Sequence, residues 1–115
     1  MKRCLKLTLP FLLISWSSIA SAEFTQEFYW SLKKDNAGIH HMTIAGLYSG
    51  VLWSNIQAKA EFDKEFFCWP MGLNGAELDP ISVIERTINQ LPHEIKGAPI
   101  PYVLIWGLKE RFPCD

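Results

Sequence analysis

Ile44-Ala45-Gly46-Leu47-Tyr48-Ser49-Gly50-Val51-Leu52-Trp53-Ser54-Asn55-Ile56 decides the fold class of this chain. Ile44, Leu47, Tyr48, Val51, Leu52 and Ile56 fall three and four residues apart and draw one wide apolar stripe along a helix. The alternation of an amphipathic strand is absent here, and over any useful length elsewhere. We place this helix at about 38–60, with the polar run Lys59 to Lys64 at its end. Gly46 and Gly50 each cost a helix about 1 kcal/mol against alanine. With Ala45 and Ser49 beside them, they predict a point where another helix packs very close, within the chain or between chains.

The same periodicity recurs on both sides of that helix. Upstream, Phe24, Phe28 and Leu32 recur every four residues with Tyr29 alongside. They predict a short helix or an apolar arm, broken at Asp35-Asn36-Ala37-Gly38. Downstream, Ile81, Ile84, Ile88 and Leu91 mark a second strong helix, with Val83 and Thr87 at its side and Pro92 as its stop. Two starts compete for it. Asn74 with Glu77 has capping-box spacing, and Asp79-Pro80 offers an N-cap followed by proline in the first turn. The helix therefore begins between 75 and 80. His93 to Pro101 reads as a loop punctuated by Gly97, Pro99 and Pro101. A last helix starts near Pro99 or Pro101 and runs to about Arg111, with Tyr102, Ile105, Trp106, Leu108 and Phe112 as its apolar side. No repeat or linker divides the chain. The prediction is a single all-α domain, a small bundle of about four helices.

Residues 1–22 stand apart. Met1-Lys2-Arg3-Cys4-Leu5-Lys6 is basic, Leu7 to Trp16 is apolar, and Ala20-Ser21-Ala22 supplies a small-x-small site. That is the anatomy of a cleavable secretory signal peptide, and the apolar run is shorter than the ~20 residues of a membrane span. The expected mature domain is 23–115, exported and with no membrane attachment after cleavage. Three of the eleven basic residues (Lys2, Arg3, Lys6) leave with the signal. Eight basic then face twelve acidic side chains, a formal charge of −4. This argues against nucleic acid, which wants a basic stripe, and for a neutral or basic protein partner.

Export also assigns the cysteines. Cys4 leaves with the signal; Cys68, in Phe66-Phe67-Cys68-Trp69-Pro70, and Cys114, in Arg111-Phe112-Pro113-Cys114-Asp115, remain. In an oxidising compartment two cysteines of one small domain pair. Closing a loop of roughly 47 residues would contribute about 4 kcal/mol, a large share of the ~5–15 kcal/mol that holds such domains folded. The bond removes the thiolate that a Cys–His pair with His40, His41 or His93 would need. His40 and His41 are adjacent, and no H-x₃-H or C-x₂-C spacing exists, so no metal or other cofactor is implied. Glu61, Asp63 and Glu65 lie among lysines in a solvated turn. No enzymatic activity is expected. Trp53 and Trp106 read as core, whereas Trp69, at the mouth of a loop with Met71 and Leu73, reads as an interface anchor.

Tyr48-Ser49-Gly50-Val51, Phe67-Cys68-Trp69-Pro70, Leu91-Pro92-His93-Glu94 and the closing Phe112-Pro113-Cys114 follow one another in an exported helical chain. In that order they resemble the Rap/Tai-type immunity proteins, over roughly residues 30–115. The resemblance implies a periplasmic protein that binds a cognate peptidoglycan amidase of type VI secretion and occludes its Cys–His cleft. It also implies a homodimer. Members often carry a further cysteine pair in the N-terminal half; around Leu32-Lys33-Lys34 and Ile44 this chain has none, so a looser N-terminal arm is expected. The candidate partner contacts are Trp69, Met71, Leu73 and Asn74 in one loop and His93 and Glu94 in another, both flanking helix ends. The competing class is a small periplasmic helical chaperone of the acid-stress type, for which the three histidines would permit a pH response.

Overall fold

Asn36 turns the chain between its first two helices. α1 (Gln26–Asp35) starts on Thr25, whose hydroxyl accepts the Phe28 N–H at 3.1 Å, and ends where the Asn36 N–H donates to the Leu32 carbonyl. The Asn36 side chain then accepts the Ile39 N–H at 3.1 Å and opens α2 (Ala37–Phe62). One residue thus caps both helices, and the hairpin brings the Tyr29 and His40 rings edge to face at 4.5 Å. α2 stops at Asp63, which takes the left-handed conformation (φ 54°) and donates its N–H to the Lys59 carbonyl.

Of the two starts the sequence offers for the next helix, Asp79-Pro80 is used. The Asp79 carboxylate accepts the Ile81 N–H at 3.1 Å and the Ser82 hydroxyl at 2.7 Å, and α3 runs Pro80–Gln90. A single 3-10 turn at Gly75–Glu77 precedes it and another, His93–Ile95, follows it; α4 spans Ile100–Arg111. The computed structural model describes residues 23–70, 72–73 and 75–115. The signal-peptide reading of residues 1–22 and the candidate contacts Met71 and Asn74 lie outside the described residues. Among the described residues the elements are four α-helices and two 3-10 turns, without a strand: an all-α domain with one disulfide.

The core forms where the four helices meet. Tyr29 comes from α1, Ile44, Tyr48 and Val51 from α2, Val83 and Ile84 from α3, and Ile100, Val103, Leu104 and Leu108 from α4; Phe67 adds its ring from the chain between α2 and α3. Each fully buried apolar side chain contributes roughly 1.5–3 kcal/mol. α3 and α4 pack tightly at Gly107, where a Cβ would run into the Thr87 hydroxyl and lie 2.8 Å from Val83 Cγ1.

Three expectations are corrected. Within the chain, the glycine that permits close packing is Gly107; among the described residues nothing lies within 4 Å of where a Cβ would be at Gly46 or Gly50. Trp53, expected in the core, is 68% exposed, and Ile56 is exposed with it. The buried line of α2 is instead His40, Ile44, Tyr48, Val51 and Asn55. On α4 the buried line is Ile100, Val103, Leu104, Gly107 and Leu108, while Tyr102 is exposed and Trp106 only half-buried. Both helices are apolar nearly all the way round, so spacing alone does not choose between their faces.

Candidate partner-binding surface

The loop that carries Trp69 is tied down before the disulfide is reached. Asn55, buried on α2, turns its side-chain amide onto the backbone after Glu65. Its Oδ1 accepts the Phe66 N–H at 2.7 Å and the Phe67 N–H at 3.3 Å, and its Nδ2 donates to the Phe67 carbonyl at 2.9 Å. That sets Phe67 into the core. The Cys68 N–H donates to the Phe112 carbonyl at 2.8 Å, docking the segment on the end of α4. Cys68 and Cys114 are bonded there, with Cα atoms 5.1 Å apart, so neither is a free nucleophile.

Trp69 is half-buried, its ring 4.7 Å from Phe112 and 5.5 Å from Phe67 between centroids. Beyond it the Leu73 N–H donates to the Pro70 carbonyl at 3.1 Å, closing a turn with Gly72 at φ +89°, a conformation that suits glycine. Leu73 is half-buried. The Tyr48 hydroxyl donates to the Gly75 carbonyl at 2.7 Å and holds the far side of the loop. The burial that Tyr48 gains in doing so pushes its phenol pKa up.

His93 and Glu94 are exposed in the second 3-10 turn. That loop is anchored by the N-terminal arm: the Gln26 amide donates to the Lys96 and Ala98 carbonyls at 2.9 Å each, and the Ile100 N–H donates to the Phe24 carbonyl at 2.9 Å. Hydrogen bonds therefore hold the arm in which no cysteine pair occurs. The two candidate loops sit at opposite ends of α4, about 18 Å apart along a twelve-residue helix. The fold does not bring Trp69 and Leu73 together with His93 and Glu94.

A small polar cluster joins α1, α2 and α3. The Tyr29 hydroxyl donates to Glu85 Oε2 at 2.9 Å, and the Lys33 ammonium lies 2.7 Å from the same carboxylate. His40 is 2% exposed, and among the described residues its Nε2 has no hydrogen-bond partner. Burial holds its pKa below the ordinary 6.5; Lys33 acts in the same direction and Glu85 against it. Burial and then the Glu85 carboxylate push the Tyr29 phenol well up. The surroundings of the buried His40 ring thus disfavour its charged form.

An exposed apolar strip on α2 was not anticipated. Met42, Gly46, Ser49 and Trp53 run along the side of α2 opposite its buried line, flanked by Ile39 and Ile56, and all are exposed. No charged side chain interrupts α2 between His41 and Lys59. Its one signal in the sequence is an excess of apolar residues over what a single stripe needs. Comparison with family models, with curated proteins and with solved structures finds no match.

Proposed function

We propose that this chain is a periplasmic immunity protein, exported by residues 1–22, which binds a cognate type VI secretion peptidoglycan amidase and occludes its active cleft. The observation that carries a protein-binding role is the outer face of α2, where Met42 is 73% and Trp53 68% exposed on a stretch without charge. Contiguous exposed apolar surface of this kind marks interaction sites. The family reading is supported by the way its motifs meet: Phe67-Cys68-Trp69 and Phe112-Pro113-Cys114 form one unit through the disulfide, a backbone hydrogen bond and the Trp69–Phe112 contact. Homodimer formation belongs to the same proposal. Two copies of charge −4 would repel least across the uncharged face of α2.

The test is growth of cells that express in the periplasm a peptidoglycan amidase encoded by a gene adjacent to that of this chain (the neighbouring amidase). Protection should require residues 1–22, because the domain without them stays on the wrong side of the inner membrane. Protection by the unexported domain, or none by the exported one, would sink the proposal. A chaperone of the acid-stress type is the second reading, and the buried, unpartnered His40 favours it. Suppressed aggregation of many unrelated unfolded clients at low pH, without an amidase complex, would select that reading.

A further inference from the structure

Residues 23–115 hold two arginines, Arg86 and Arg111, and α3 and α4 bring both to one groove of about 520 Å³. Its floor exists because Gly107 has no side chain: the helices close there over Val83 and over Thr87, whose hydroxyl is already spent on the Val83 carbonyl at 2.6 Å. Arg86 and Gln90 stand one turn apart on the α3 wall. Trp106 and Glu110 stand one turn apart on the α4 wall, with Arg111 next to them. Among the described residues neither arginine has a carboxylate within 4.0 Å, although Glu110 shares the groove, whereas Lys33 and Lys59 are both paired. The Arg111 guanidinium lies 5.7 Å from the centre of the Phe112 ring, and Trp106 stacks on exposed Tyr102 at 6.0 Å.

We infer that this groove receives an acidic segment of a protein partner, a loop bearing aspartate or glutamate side chains. A guanidinium fork matches a carboxylate in two parallel hydrogen bonds, which a lysine cannot reproduce. Two guanidinium groups against Glu110 leave the groove one charge positive on a domain that is otherwise negative. Gln90 and Glu110 offer partners to main-chain amides of the incoming segment. Trp, Tyr and Arg are the residue types in which interface energy concentrates, and the volume falls in the range of about 300–1,000 Å³ typical of built binding sites. The inference rests on the protein-binding reading above and names the α3/α4 face, between the two candidate loops, as a contact surface.

The experiment titrates the exported, oxidised protein with a capped six-residue peptide alternating aspartate and glycine, and with its asparagine counterpart as control. Nitrogen-15 spectra report the arginine Nε–H and tryptophan indole N–H groups. The aspartate peptide should shift the signals of Arg86, Arg111 and Trp106, less so as salt rises, and the asparagine peptide should not. The double variant Arg86→Gln, Arg111→Gln should lose those shifts with an unchanged thermal midpoint, and should bind the neighbouring amidase at least about tenfold more weakly. No shift with the aspartate peptide, or an equal shift in the double variant, overturns the inference. An amidase that binds wild type and double variant equally also overturns it, and leaves the immunity reading standing. A groove that takes the peptide in a protein that binds no neighbouring amidase upholds the groove and removes that reading.

Discussion

At Asn55 a single side-chain amide satisfies three backbone groups of Phe66 and Phe67. Asn55→Ala would leave them without partners inside the protein, so we expect a loss of about 2–4 kcal/mol in urea unfolding, and a smaller loss for Asn55→Asp, which keeps the acceptor. Gly107→Ala sets a methyl group against Thr87 and Val83; overpacking of this kind costs roughly 1–3 kcal/mol by the same measurement. His40 carries a pH dependence whose sign follows from its burial. The folded protein holds the imidazole neutral to a lower pH than its ordinary 6.5, by desolvation first and by Lys33 second. Below pH 6.5 the unfolded chain therefore binds a proton that the folded one refuses, and stability falls with pH until the lowered folded pKa is reached. Urea midpoints at about pH 7.5 and about pH 5.5 should differ in that direction, and His40→Leu should remove this part of the difference.

Among the helices, α3 was the most legible in the sequence, because its start is local chemistry: an aspartate cap followed by proline works whatever surrounds it. The faces of α2 and α4 were not legible. Ile44, Tyr48 and Val51 were correctly read as inward, but Trp53 and Ile56 satisfy the same spacing rules from a neighbouring strip and lie outside. On α4 the deciding residue was Gly107, which buries its own side of the helix by letting α3 come close, and a glycine adds nothing to an apolar count. The α3/α4 groove was hidden for the same reason, since Arg86 and Arg111 become neighbours only once those helices pair. The exposed strip of α2 yields a prediction of its own. Trp53→Ser should leave the unfolding free energy within about 0.5 kcal/mol, as for other surface changes, while weakening whatever association the face supports. A large loss of stability in that variant, read by thermal melting, would return Trp53 to the core.

For the whole molecule the disulfide is the main constraint that lies outside the helices. It joins the segment between α2 and α3 to the chain after α4, across 46 residues. Replacing both Cys68 and Cys114 by serine should cost about 2–5 kcal/mol in urea while leaving a mainly helical circular-dichroism spectrum. The pairing was readable from the two cysteines of residues 23–115, a domain that the sequence leads one to expect in an oxidising compartment. The Asn55 clamp and the Cys68–Phe112 hydrogen bond that surround it were not, because they join groups that only the tertiary fold brings together. Thiol labelling of protein purified without reductant and then denatured should find neither Cys68 nor Cys114 reactive.

Those ties around the disulfide bear on the order in which the fold and the bond form. Asn55 holds the backbone immediately before Cys68, and the Phe112 carbonyl accepts from Cys68 itself, through groups other than the sulfurs. Two thiols held this way face each other at a high effective concentration as soon as the helices have packed. We expect oxidation to seal an arrangement that folding has already made, so that the reduced chain should keep a mainly helical circular-dichroism spectrum. A reducing compartment would accordingly hold a weaker copy of the same fold, and the arrival of an oxidant would act as a lock.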